Sequence, residues 1–264
     1  MLLHCAAGLA ETDARTTYRA EMRRLKRAER AFWASYQERF IEAADIWAIP
    51  FKNDKRSRYP AVDGDYSGFR RLYGAYEAIE KERGQALVAF ARAGDPHSAA
   101  TVLNEVAATA KQVDRLERDL RKKPVRVFSD VFDQRPGVRR HGLAARERAL
   151  VKALAALPSA EVPLEAALGT ALAKASLRAR IYILDALGER QNNAGMPLLE
   201  AALGSRASAE RIAALEGLAR FGAAARRSLG PLLALADEGG PLCRALLAVI
   251  DPADSGWIAP LLKT

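Results

Sequence analysis

This sequence predicts an all-α fold: a long-helix bundle or antiparallel coiled coil followed by a short α-solenoid. Three observations predict it. The 264 residues are rich in Ala, Leu, Arg and Glu, which favour helix. No stretch shows sustained strand alternation, and the nearest case, Val125-Arg126-Val127-Phe128, is short and isolated. A motif in the second half returns about every thirty residues, with Arg180-Ile181-Tyr182-Ile183-Leu184-Asp185-Ala186-Leu187-Gly188 matching Arg211-Ile212-Ala213-Ala214-Leu215-Glu216-Gly217-Leu218-Ala219. Repeats of this length are stacked helix pairs, none of which buries its apolar face without a neighbour.

Four segments follow: a tail (1–11), a bundle (12–123), a junction (124–142) and repeats (143–264). Residues 12–47 read as one helix, with Met22, Leu25, Phe32, Tyr36, Phe40, Ala43 and Trp47 at three-four spacing. The stripe skips Ala28 and Glu29, a weak layer. At about 1.5 Å per residue the helix would be about 50 Å long, ending at Ile49-Pro50 because the residue before proline leaves the helical region. Residues 50–65 read as a charged loop with turn chemistry at Pro60 and Asp63-Gly64-Asp65. A second helix covers 66–92, with Phe69, Leu72, Tyr76, Ile79, Leu87 and Phe90 on one side. Gly94-Asp95-Pro96 breaks it, with Asp95 as cap and Pro96 at the first position of the next helix. That helix covers 97–122 and carries a stripe of Leu103, Val106, Ala110, Val113, Leu116 and Leu120. The tight link makes an antiparallel hairpin the expected packing.

The junction is broken by Pro124 and Arg135-Pro136-Gly137, and Val127, Phe128, Val131 and Phe132 can pack across it. Four helix pairs are then expected: 143–157 with 162–173, 177–187 with 194–203, 209–221 with 223–236, and 241–250 with 255–262. Small residues at the crossing positions let neighbouring helices approach closely.

Arg180/Arg211, Leu184/Leu215, Leu187/Leu218 and Pro197/Pro231, with apolar pairs after each proline, carry a resemblance. Residues 143–264 resemble HEAT repeats, particularly the short bacterial kind also called phycobilisome-lyase HEAT-like repeats. The resemblance implies an α-solenoid and says little about activity. The family's usual aspartate before the repeat arginine is absent, with Ala175 and Arg206 near its place. Arg180 and Arg211 are expected to brace adjacent helices.

The formal net charge of +9 is uneven: residues 1–142 carry 27 Lys and Arg against 20 Asp and Glu, and residues 143–264 carry 14 against 12. The candidate basic patch is Arg23, Arg24, Lys26, Arg27, Lys55, Arg56, Arg58, Arg121, Lys122 and Lys123. Such a surface attracts acidic protein, nucleic acid or anionic lipid. Two distant cysteines, Cys5 and Cys243, make no disulfide framework or metal motif. Residues 2–10 are apolar and small, as the tail of an export signal would be, but no basic region precedes them. The expected compartment is the cytoplasm, with the periplasm as the alternative. No segment approaches the roughly 20 apolar residues of a membrane span.

Chemistry is sparse. His4, His97 and His141 have no partner at metal-ligand spacing, and neither a phosphate loop nor a serine elbow occurs. No catalytic, cofactor or metal residue is therefore nominated. HEAT-like DNA glycosylases use aromatic pockets, whereas Tyr182, Phe221 and Trp257 are scattered here; chromophore lyases share the repeat but not the basic first half. The expected function is a non-catalytic scaffold or adaptor for a protein partner. Arg226, Arg227, Asn192 and Asn193 are the candidate contacts, and the N-terminal helices a homo-oligomerisation surface. Nucleic-acid binding by the basic helices is the alternative.

Overall fold

The structure, a computed structural model, describes residues 2–48, 67–122, 135–158, 164–228, 231, 232 and 235. All regular structure in these residues is helical, with no strand among them. The expected loop at 50–65, most of the junction and the fourth repeat pair lie outside the described residues.

Nine α-helices are described: α1 (Leu2–Ala34), α2 (Tyr36–Ala48), α3 (Ser67–Arg92), α4 (Ser98–Lys122), α5 (Arg135–Ala156), α6 (Leu164–Lys174), α7 (Leu177–Arg190), α8 (Met196–Leu203) and α9 (Ser208–Phe221). The chain divides into two compact units, Met1–Asp95 with Gln112–Ala149, and Pro96–Lys111 with Leu150–Thr264. The division falls within α4 and α5, where the sequence suggested one boundary over 124–142. Residues 96–111 therefore group with residues 150–264.

In the first unit, the helix expected over 12–47 is two, α1 and α2, which meet at Ser35. The Ser35 hydroxyl donates back to the carbonyls of Ala31 (3.1 Å) and Phe32 (3.3 Å). Such back-bonding bends a helix without ending it, and Arg39 N still donates to Ser35 O at 3.1 Å. Both helices pack on α3. α1 runs antiparallel to α3: Tyr18 stacks on Phe90 (centroids 4.6 Å) and, further along, Phe32 meets Tyr76 (5.3 Å). The core gathers Phe32, Tyr36, Phe40, Leu72, Tyr76 and Val138.

Arg135-Pro136-Gly137, expected as a break, is instead the first turn of α5. Proline suits that position because first-turn N–H groups have no helical acceptor. α5 lies against α3 and runs parallel to it, with Gly142 on Tyr76 and Ala149 on Gly84. A Cβ at Gly84 would fall 2.3 Å from the Ala149 Cβ, and one at Gly142 would fall 2.5 Å from Tyr76 Cδ1.

The α4 stripe is rotated slightly from its expected position. Val102, Val106, Thr109, Ala110 and Val113 are buried, while Leu120 is 40% exposed.

In the second unit, α7 packs on α9, and α8 packs on both. Ser176 caps α7, its hydroxyl accepting from Ala179 N, and Gln191 ends it in the left-handed region at φ 52°. Met196, Leu199 and Leu203 of α8, with Ile183, Leu184 and Leu187 of α7, are buried. After α9, in the stretch expected as an α-helix over 223–236, residues 222–228 form a 3₁₀ helix and residues 231, 232 and 235 are α-helical.

Candidate functional site

Two polar constellations join neighbouring helices at depth, one in each unit. In the first unit the layer that the α1 stripe skips is filled by ions. Arg83 donates from Nη1 to Glu80 Oε1 (2.7 Å) and from Nη2 to Glu29 Oε2 (2.8 Å). The Tyr76 hydroxyl donates to Glu80 Oε1 at 3.1 Å and lies 3.4 Å from Glu29 Oε1. Arg146 Nη1 of α5 stands 3.8 Å from Glu80 Oε2. Glu80 is 1% exposed. The network ties three helices together at a depth where an uncompensated charge would be expensive.

Its titration follows from this geometry. Burial opposes the charge on Glu29, but the hydrogen bond and charge of Arg83 outweigh it and hold the carboxyl below its ordinary value. Burial likewise opposes the charge on Arg83, yet Glu80 and Glu29 raise its pKa overall. Burial, then the charges of Glu80 and Glu29, push the Tyr76 hydroxyl well up, so it remains a proton donor. Each carboxylate faces an arginine, which makes the arrangement a clamp between helices.

The second constellation joins α7 to α9. Arg180 donates to both carboxylate oxygens of Glu210, from Nε at 2.9 Å and from Nη2 at 3.1 Å. Ser205 Oγ donates to the same carboxylate at 2.6 Å. Arg180 Nη1 also reaches Ala175 O (3.1 Å), and Arg211 Nη1 reaches Ser205 O (2.7 Å). The two repeat arginines thus each hold the carbonyl of the preceding loop. Further along, a Cβ on Gly188 would lie 2.6 Å from Gly217 Cα, and the Gln191 side-chain amide donates to Arg220 O. Start meets start and end meets end, so α7 and α9 run parallel, with residues about thirty apart in contact.

The expected partner-binding residues fall at one corner. Asn192 caps the 3₁₀ turn Asn193–Gly195 by accepting from Ala194 N at 3.1 Å. Arg227 donates from Nη2 to Asn193 O (3.1 Å) and approaches Met196 Sδ (3.0 Å). Arg226 and Asn193 are exposed beside them. Asn192 and Arg227 therefore also have structural roles.

The basic patch is only partly gathered. Arg23, Lys26 and Arg27 are exposed on α1, whereas Arg24 bonds to Glu21 and Glu82. Arg121 is exposed on a separate helix, α4. The side chain of Lys122, and Lys55, Arg56, Arg58 and Lys123 entirely, lie outside the described residues. No group of three His, Cys, Asp or Glu fit to hold a metal occurs among the described residues. Nor is any described helix long and apolar enough to cross a membrane.

Sequence reasoning missed the clamp. Its signal was present: Glu80 and Arg83 stand at i+4 and i+7 from Tyr76, inside the apolar stripe that continues to Leu87 and Phe90. Ile79, chosen for that stripe, is only half-buried.

No protein-family model matches the chain, and comparison with curated proteins and with solved structures returns no match.

Proposed function

We propose that the chain is a non-catalytic scaffold or adaptor. In this reading residues 143–264 form a short HEAT-like solenoid that holds a protein partner, and the long helices form a separate bundle. The supporting observation is the parallel run of α7 and α9, with residues one repeat apart meeting in register at Arg180–Glu210 and Gly188–Gly217. A stack built by translation exposes the same face of each unit, which produces an extended binding surface. The corner of Asn193, Arg226 and Arg227 lies on such a unit and supplies donors that a partner can use.

The test is binding. Immobilised full-length chain is exposed to nuclease-treated extract of its source organism, and any retained protein is purified and titrated calorimetrically. The expected result is a single protein bound at fixed stoichiometry, weakened about tenfold or more by Arg226→Glu. Failure to retain a protein, or affinity indifferent to changes across the repeat unit, overturns the proposal.

A further inference from the structure

The first unit carries a row of cations that the sequence divided differently. On α1, Lys26, Arg30 and Trp33 stand at i, i+4 and i+7, so they share one side of the helix, and Arg23 continues the row one turn back. On α5, Arg135 and Arg139 stand one turn apart. Arg139 lays its guanidinium over the Trp33 ring at 4.7 Å, and Arg135 lies over Tyr36 at 5.2 Å. The ring of Trp33 therefore joins the two helices into one strip. All five cations are exposed, and among the described residues no ion pair involves Arg23, Lys26, Arg30 or Arg139. The acids of this part of α1 turn elsewhere, Glu21 to Arg24 and Glu29 to Arg83. From Arg23 to Trp33 the row covers about 15 Å at 1.5 Å per residue.

We propose that this strip binds the phosphate backbone of duplex nucleic acid, a second partner beyond the protein proposed for the repeats. Cations that make no ion pair among the described residues, set along one helix, meet a regular line of phosphates, which rise 3.4 Å per nucleotide along each strand. The guanidinium of Arg139 lies over the Trp33 ring, and its fork of N–H groups can meet two oxygens of one phosphate. Single strands are disfavoured because the rings here cannot stack on bases: Phe32 and Tyr36 are buried and Trp33 is covered by Arg139. An acidic protein is disfavoured because stable protein interfaces need apolar anchors. The exposed large apolar residues among those described are Ile41, Leu120, Leu177 and Ile212, none of them on the strip.

Fluorescence anisotropy of the full chain tests this with three probes of about equal charge: a mixed-sequence DNA duplex, a single strand and a poly-glutamate peptide. The duplex is expected to bind tightest and to lose about a hundredfold in affinity between 50 and 200 mM salt, as about four phosphate contacts require. Arg30→Gln should reduce the salt slope by about one, and Arg139→Lys should weaken binding while leaving the slope nearly unchanged. Lys174→Gln, an exposed position on the other unit, should change neither. All these positions are exposed, and circular dichroism confirms that each variant is folded. Poly-glutamate or the single strand binding more tightly than the duplex overturns the proposal. So does duplex binding that Arg30→Gln and Arg139→Lys leave unchanged, or no binding at 50 mM salt.

Discussion

Gly188→Ala isolates the contact on which the parallel packing of α7 and α9 depends. In an exposed helix interior, replacing glycine by alanine stabilises by about 0.5–1 kcal/mol, because the unfolded chain loses freedom. Gly74 in α3 is such a site, with nothing within 4 Å of an added methyl and solvent around it. At Gly188 the same methyl would sit 2.6 Å from Gly217 Cα and 3.3 Å from Gly217 O. Backbone cannot rotate away, so α7 and α9 must separate by about 1 Å, and overpacking of this kind costs about 1–3 kcal/mol. The balance is a loss of about 1–2 kcal/mol at Gly188 against a gain of up to about 1 kcal/mol at Gly74. Gly217→Ala should fall between them, since its methyl would meet the end of the Leu199 side chain at 2.8 Å, which can turn. Guanidinium-induced unfolding at pH 7, followed by circular dichroism, measures all three. Gly188→Ala as stable as Gly74→Ala would refute the close approach of the two helices.

Arg83→Met should cost about 3 kcal/mol or more in the same assay by stranding Glu80. The double replacement Glu80→Leu/Arg83→Met should cost less than the single one, and equal losses would show that the clamp carries no charge coupling. Glu210→Gln should lose about 1–3 kcal/mol by breaking the paired bonds from Arg180, whereas no loss would mean that the ion pair is dispensable. Asp185 on α7 gives a pH test. Burial, with the charges of Glu216 and Glu189 and against the pull of Arg220, raises its carboxyl from 3.8 to about 6. Its contribution to stability is therefore present below about pH 4 and is lost as pH rises through about 6. Solvent screens the partly exposed carboxyl, so Asp185→Asn should stabilise by about 1 kcal/mol at pH 7.5. It should be neutral at pH 3.5, and thermal unfolding at the two pH values checks this.

Helix content and most helix limits were legible in the sequence. Residues 66–92, 97–122 and 177–187 were expected as helices, and the structure has Ser67–Arg92, Ser98–Lys122 and Leu177–Arg190. These limits are local: proline, glycine and capping side chains act within a turn, and apolar spacing marks the buried face. The α1–α2 bend was hidden because Ser35 can either face solvent or bond back four residues, and spacing does not tell which. Leu120 belonged to the α4 stripe by spacing, yet it is exposed, because burial depends on which neighbour arrives.

By itself the sequence determined an all-helical chain, an uneven positive charge and a repeat with arginines at Arg180 and Arg211. Only the tertiary structure decided that Glu29, Glu80, Arg83 and Arg146 meet inside the first unit, that Arg24 is bonded to acids while Arg23 and Lys26 are exposed, and that Arg139 lies on Trp33. Propensity and periodicity describe one helix at a time. A part-buried ion pair joins residues 54 positions apart, as Glu29 and Arg83 are, and its partners are chosen by packing.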